Sequence, residues 1–211
     1  MSPDAAPTPA SLPFVLRGDR VGLRTLRRED AATVAPWFSD LDFLTCLTAR
    51  ALPMSLANEQ EWFDQHVKNT NDSVQFAIVE LATDRHVGNC GLFDFTRHNA
   101  ATFGIGIGQP DARGKGLGTE ATRLVAEYGL FFLNLHNIRL GVFAFNGRAI
   151  AAYRRAGYRE AGRIRGAVCV AGVRYDEVLM DITRDDVDPS RMRQLVPALN
   201  GPPPTPSTEP A

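Results

Sequence analysis

From Val74 onward the apolar positions switch between two periods. Val74 to Leu81 (VQFAIVEL) and Val87 to Phe95 read as strands on either side of the polar turn Thr83–His86, which makes a hairpin. Arg97 to Ala100 is a second polar turn, and Thr102 to Gly108 is the next strand. The period then lengthens. Leu117, Ala121, Leu124, Val125, Tyr128, Phe131 and Leu135 recur near helical spacing, so Gly116 to about Asn134 reads as a long amphipathic helix.

Ile138 to Phe145 (IRLGVFAF) returns to strand. Asn146 caps a short helix, which Gly157 ends as the residue past the C-cap. Arg159 to Val170 and Val173 to Ile182 close the pattern as a hairpin around Ala171-Gly172. Upstream, Arg20 to Leu26 reads as the first strand. A helix follows from Arg28 through Phe38, and then a loop from Asp40 to Pro53. A second helix starts at Ser55, with Leu56, Trp62, Phe63 and Val67 on its buried face. Glu59 sits one position late for a capping box.

The order βααβββαβαββ predicts an α/β fold. It has a single mixed, mostly antiparallel sheet of about seven strands flanked by about four helices. Residues 1–13 are rich in Pro and Ala and read as disordered, residues 14–184 as one domain, and residues 185–211 as a C-terminal extension, disordered from about residue 200.

Composition narrows the class. A net charge of −1 leaves no basic footprint for nucleic acid. Three widely spaced cysteines (Cys46, Cys90, Cys169) argue against a disulfide framework, and they make no metal-ligand spacing with the four histidines. The first residues lack a signal-peptide pattern, and no apolar run is long enough to span a bilayer. The expectation is a cytoplasmic protein with no metal, no nucleic acid and no membrane partner.

The chemistry concentrates at Thr102–Asn134, where a strand enters a glycine-rich turn and then the long helix. Backbone N–H groups and the helix dipole converge there, which suits a phosphate. A P-loop needs GxxxxGK[ST], but five residues separate Gly108 from Gly114, and Gly116 replaces the Ser/Thr that would hold magnesium. Gly116 to Ala121 fits GxGxxA, yet no acid follows about 20 residues on, as a dinucleotide fold requires. Arg113-Gly114-Lys115-Gly116-Leu117-Gly118 fits [QR]-x-x-G-x-[GA] instead. Its three glycines leave no Cβ between backbone and phosphate, while Arg113 and Lys115 add charge.

That stretch resembles the acetyl-CoA-binding motif of the GNAT superfamily of N-acetyltransferases. Asn146, Tyr153, Gly157 and Tyr158 resemble the family's N-x(6)-Y-x(3)-G-[FY] signature. LNLHNIRLGV and VRYDEVLMDI look like its ribosomal-protein (RimJ/RimL-type) and polyamine N-acetyltransferase branch. The resemblance covers about residues 14–184.

It implies transfer of an acetyl group from acetyl-CoA to a primary amine by direct attack in a ternary complex, with coenzyme A as product. The implied cofactor residues are Arg113, Gly114, Lys115, Gly116, Leu117, Gly118, Thr119, Asn146, Ala149 and Tyr153. The implied oxyanion donors are backbone N–H groups at Gly106, Ile107 and Gly108. Tyr153 is the implied general acid, and Asn146 bonds pantetheine, caps its helix, or does both.

Where many members carry a Glu, the central strand here has Gly104, Gly106 and Gly108 on one face. The base is then a water or one of Asp94, Asp176 and Glu177. That glycine face offers room for a polypeptide N-terminus. Residues 40–64 hold Asp40, Asp42, Glu59, Glu61 and Asp64 against Arg50, which is either an acidic mouth for a cationic amine or a solvated helix face. A protein α-amine, a polyamine and a small amine all fit, and the resemblance leaves a homodimer open. The alternative of a different class is a non-catalytic acetyl-CoA sensor on the same fold.

Overall fold

A computed structural model describes residues 13–48, 52–66, 68, 70, 72–188 and 190. The disorder expected at residues 1–12 and from about residue 200, together with Val67 and Arg50, lies outside the described residues. Eight strands run β1 (Leu16–Arg17), β2 (Val21–Thr25), β3 (Val74–Glu80), β4 (Arg85–Phe93), β5 (Ala100–Ile107), β6 (Asn137–Phe143), β7 (Arg159–Val170) and β8 (Val173–Thr183). Five α-helices flank them: α1 (Ala31–Val34), α2 (Leu41–Leu47), α3 (Leu56–His66), α4 (Leu117–Phe131) and α5 (Gly147–Arg155). No helix among the described residues is long and apolar enough to cross a membrane.

The sheet order is β1-β2-β3-β4-β5-β6-β8-β7, and every pair is antiparallel except β5 with β6. The mixed, mostly antiparallel sheet is as expected, with one strand more. β1 is two residues long, too short to show a period. The span 28–38 is not one helix: a 3-10 turn, α1 and a second 3-10 turn containing Pro36 succeed one another. The expected loop from Asp40 instead holds α2, because the Asp40 carboxylate accepts from the N–H groups of Asp42 and Phe43 and caps a helix there. At α3 the reciprocal cap partner of Ser55 is Asn58, which explains why Glu59 stands one residue out of place.

Each face of the sheet has its own core. On one side α4 buries Leu117, Ala121, Leu124, Val125 and Leu130 against β2 to β6. On the other, Trp37, Phe43 and Phe63 pack with Ala31, Val34 and Ala77. The glycine face of β5 lies under this second layer. A Cβ on Gly106 would stand 3.0 Å from the Phe43 ring and 3.4 Å from Leu47, and one on Gly108 would fall inside the Trp37 indole. These glycines let α2 and Trp37 approach the strand. The room expected there for a polypeptide N-terminus is filled by side chains.

A buried ion pair ties the second layer down. Arg24 forks onto Asp30 at 2.7 and 2.8 Å, and the Arg27 N–H donates to the same carboxylate at 2.8 Å. Burial alone would raise the Asp30 carboxyl. The Arg24 fork, with His86 facing it at 3.6 Å and the Arg27 N–H, more than offsets this and holds it well below the usual carboxylate range. Its contribution to stability is therefore full above the unfolded-chain value of about 3.9 and is lost as pH falls below it. Melting curves between pH 6 and pH 3 should show this fall. Asp30→Asn should flatten it below about pH 4, and an unchanged slope would remove Asp30 as a cause.

Candidate functional site

β5 and β6 pair through only three residues, Ala100↔Asn137, Ala101↔Ile138 and Thr102↔Arg139. Beyond Thr102 they part, although both strands continue, β5 to Ile107 and β6 to Phe143. The facing edges of Phe103–Ile107 and Leu140–Phe143 therefore have no strand between them. The gap opens into a cleft of about 390 Å³. One parallel pair at the centre of an antiparallel sheet creates it, because α4 must carry the chain from the end of β5 back to the start of β6.

Gly106 and Ile107 line one wall, and Gly114, Gly116, Leu117, Gly118 and Thr119 form the mouth. Gly114 (φ +76°) and Gly116 (φ +81°) are left-handed and lead the chain into the start of the 15-residue α4. A Cβ on Gly118 would make only an ordinary 3.4 Å contact with Ile107, so no protein atom demands glycine there. Asn146, Ala149 and Tyr153 line the opposite wall on α5, with Arg148 and Arg155 beside them. From the other face of the sheet, Phe43, Cys46 and Leu47 of α2 close the cleft.

Asn146 is the N-cap of α5, its Oδ1 accepting from the Ala149 N–H at 3.1 Å. That bond uses only the amide oxygen of a residue that also lines the cleft. Tyr153 is nine-tenths buried, edge-on to Phe103 with ring centres 6.3 Å apart and tilted against Tyr158 at 6.1 Å. Its hydroxyl has no hydrogen-bond partner among the described residues, and burial pushes it up to about 12. The Tyr158 hydroxyl behind it is buried and also unpartnered among the described residues.

Several expected residues stand elsewhere. The Arg113 backbone lines the cleft, but its guanidinium turns inward. It donates to the carbonyls of Ile107 (3.0 Å) and Gly108 (2.7 Å), pairs with Asp40 at 2.8 Å and lies over the Phe43 ring. It is a strut between the turn and α2 rather than a free cation for a phosphate. Lys115 is exposed and does not line the cleft, and Gly108 lies under Trp37.

Of the acceptor-side carboxylates, Asp94 is exposed in a left-handed turn past the end of β4, and Asp176 accepts from the Gly166 N–H at 3.0 Å in the β7–β8 hairpin. Neither lines the cleft. Glu177 does, its carboxylate lying across Gly141 of β6. The acidic face of residues 40–64 is dispersed. Asp40 holds Arg113, Asp64 pairs with Arg28, and Glu59 is buried, which pushes its carboxyl up to about 7. Arg20, which the sequence reading passed over, stands directly at the turn. Its Nη1 donates to the Lys115 carbonyl at 2.8 Å.

Residues 20–159 match the acetyltransferase (GNAT) domain family, a stretch that contains the turn, the divergent strands and Tyr153. The chain belongs to that family. It is 33% identical over 117 residues to a probable N-acetyltransferase, YjcK, of Bacillus subtilis (strain 168), covering 55% of this chain and 65% of that protein. It is 30% identical over 128 residues to a spermidine N(1)-acetyltransferase of Escherichia coli (strain K12), covering 57% and 63%. The chain thus spans just under two thirds of the length of these curated relatives.

Among solved structures, a spermidine N-acetyltransferase from Vibrio cholerae in complex with CoA and spermine superposes with a TM-score of 0.71 at 24% identity, covering 79% of this chain and 97% of that one. A GNAT-family acetyltransferase from Bacillus anthracis gives 0.70 at 16%, covering 80% and 98%. These two likenesses are of fold.

Proposed function

We propose that this member of the family transfers an acetyl group from acetyl-CoA to a primary amine of a protein N-terminus, a polyamine or another small molecule. The observation that carries the reading is the parting of β5 and β6 after three pairs, with an unpartnered tyrosine hydroxyl inside and a left-handed glycine turn at the mouth.

The chain's own groups fit such a thioester. The free edge of Phe103–Ile107 offers backbone donors and acceptors to the amides of a pantetheine arm, which lies in the gap as an added strand would. The glycine turn and the start of α4 hold the pyrophosphate. Asn146 holds the arm from the other wall.

N–H groups at Gly106 and Ile107, which line the cleft, take the developing oxyanion. Arg113 steadies that end of the strand by holding the Ile107 and Gly108 carbonyls. Tyr153 keeps its proton across the physiological range and delivers it to the leaving thiolate. The same desolvation that weakens the phenol as an acid strengthens the thiolate as a base, so the transfer stays balanced.

Glu177 is the carboxylate that holds the incoming ammonium, which passes one proton to water or to Glu177 before the neutral amine attacks. As the amide forms, its nitrogen gives up a second proton, which replaces the one Tyr153 delivers to the thiolate. Glu177→Gln should raise KM for the amine about ten-fold and leave KM for acetyl-CoA unchanged, as loss of one charge-assisted hydrogen bond requires. No change in the amine KM would overturn Glu177 as the group that holds the amine.

The reading is tested by titrating the protein with acetyl-CoA and with ATP in a calorimeter, then following thiol release with a panel of N-terminal peptides, polyamines and small amines. Binding of acetyl-CoA without thiol release from any amine would leave a sensor. Binding of ATP alone would overturn the coenzyme assignment.

A further inference from the structure

Arg20 belongs to the β1–β2 hairpin, far from the glycine turn in sequence, yet three contacts pin it there. Nη1 donates to the Lys115 carbonyl at 2.8 Å, Nε reaches Glu120 Oε2 at 3.3 Å, and the Arg20 backbone N–H donates to Glu120 Oε1 at 3.0 Å. Asp19 adds its N–H to the same Oε1 at 2.5 Å. Glu120, in the first turn of α4, is 6% exposed, so its carboxylate is surrounded by donors and turned away from the mouth of the cleft.

The Arg20 side chain is 57% exposed. Its Nη2 has no partner among the described residues and stands 2.9 Å from the point where a Cβ on Gly116 would be. Gly116 is therefore open on that side for a guanidinium. The two cations that the sequence offered do not fill this place: Arg113 is engaged with backbone carbonyls and Asp40, and Lys115 is in solvent.

We propose that Arg20 is the side-chain cation of the pyrophosphate turn, and that its pairing with Glu120 braces the Lys115–Gly116 peptide in the shape that presents its N–H groups. The proposal rests on the coenzyme A reading above. A guanidinium can hold the turn carbonyl with one nitrogen and donate to a phosphate oxygen with another, which an ammonium cannot do at the same spacing.

The test compares two thioesters, one of which lacks the pyrophosphate together with the nucleotide it carries. Acetyl-CoA and S-acetylpantetheine are titrated calorimetrically into the full chain, Arg20→Ala and Arg20→Lys. Arg20→Ala should weaken acetyl-CoA about ten-fold and Arg20→Lys should recover only part of that, because the charge returns without the fork. S-acetylpantetheine should bind all three proteins alike.

Equal weakening of both thioesters would mean that Arg20 supports the cleft as a whole and would overturn its assignment to the pyrophosphate turn, and full recovery in Arg20→Lys would overturn the fork. Acetyl-CoA affinity unchanged in Arg20→Ala would overturn the proposal while leaving the coenzyme reading intact. A wild-type chain that binds no acetyl-CoA would overturn both.

Discussion

Tyr153→Phe should lower kcat by about two to four orders of magnitude, the range for removal of a positioned general acid. The Kd for acetyl-CoA should stay within about two-fold, since no protein group loses a hydrogen bond when this hydroxyl is removed. The phenyl ring keeps its edge-on packing against Phe103 and its contact with Tyr158, so the fold should hold.

The pH profile carries the sign. Tyr153 is protonated until pH approaches about 12, so activity should rise with deprotonation of the amine and show no fall from this phenol near pH 10. A Tyr153→Phe enzyme with wild-type kcat would remove the acid assignment. A loss confined to acetyl-CoA binding would turn Tyr153 into a wall of the cleft.

The second large effect concerns Gly116. At φ +81° an L residue costs about 1–2 kcal/mol, and a β-branched one is worse. A Cβ there also meets the Arg20 guanidinium, so Gly116→Val must displace the side chain that holds the Lys115 carbonyl. Adding about 1.5–3 kcal/mol for hydrogen bonds to a charged partner gives a loss of roughly 100-fold to 1,000-fold or more in acetyl-CoA affinity.

The turn is on the surface, so the melting temperature should fall by only a few degrees. Gly114→Ala is the control. Its backbone is also left-handed, at φ +76°, but its Cβ would meet nothing within 4 Å. It should therefore show the conformational cost alone, about ten-fold. Equal losses in the two variants would discard the steric argument at Gly116.

The turn, α4, the capped α5 and both long hairpins were legible in the sequence because each is announced by local rules of period, cap and glycine. The strands and helices around Val74–Ile182 shifted by up to three residues at their ends, the largest shift being at the end of α4. What escaped was tertiary. α2 has only seven residues, and its helical character depends on Asp40 capping it and on Gly106 making space for Phe43.

The direction of a side chain was equally hidden. Arg113 carries the motif but points inward, while Arg20, in no motif, reaches the turn through a hairpin that packs on α4. Asp94, Asp176 and Glu177 looked equivalent as carboxylates near strand ends, and only the register of β8 against β6 brings Glu177 across Gly141. The glycine alternation in β5 suggests room, whereas Trp37, Phe43 and Leu47 fill it.

The three-pair junction of β5 and β6 also acts as a fulcrum. From Thr102 to the end of β5 the chain runs five residues, an arm of about 16 Å at the usual strand rise. A tilt of one degree at the junction displaces the far end by roughly 0.3 Å, so a reaction geometry that tolerates about 0.5 Å requires the two half-sheets to hold their angle to within about two degrees. That stiffness is set at the pivot, where Ala101 and Ile138 are fully buried and Gly129 of α4 lets Ile138 and Leu92 press in close. Residues that touch neither substrate thereby govern how well the catalytic groups are aimed.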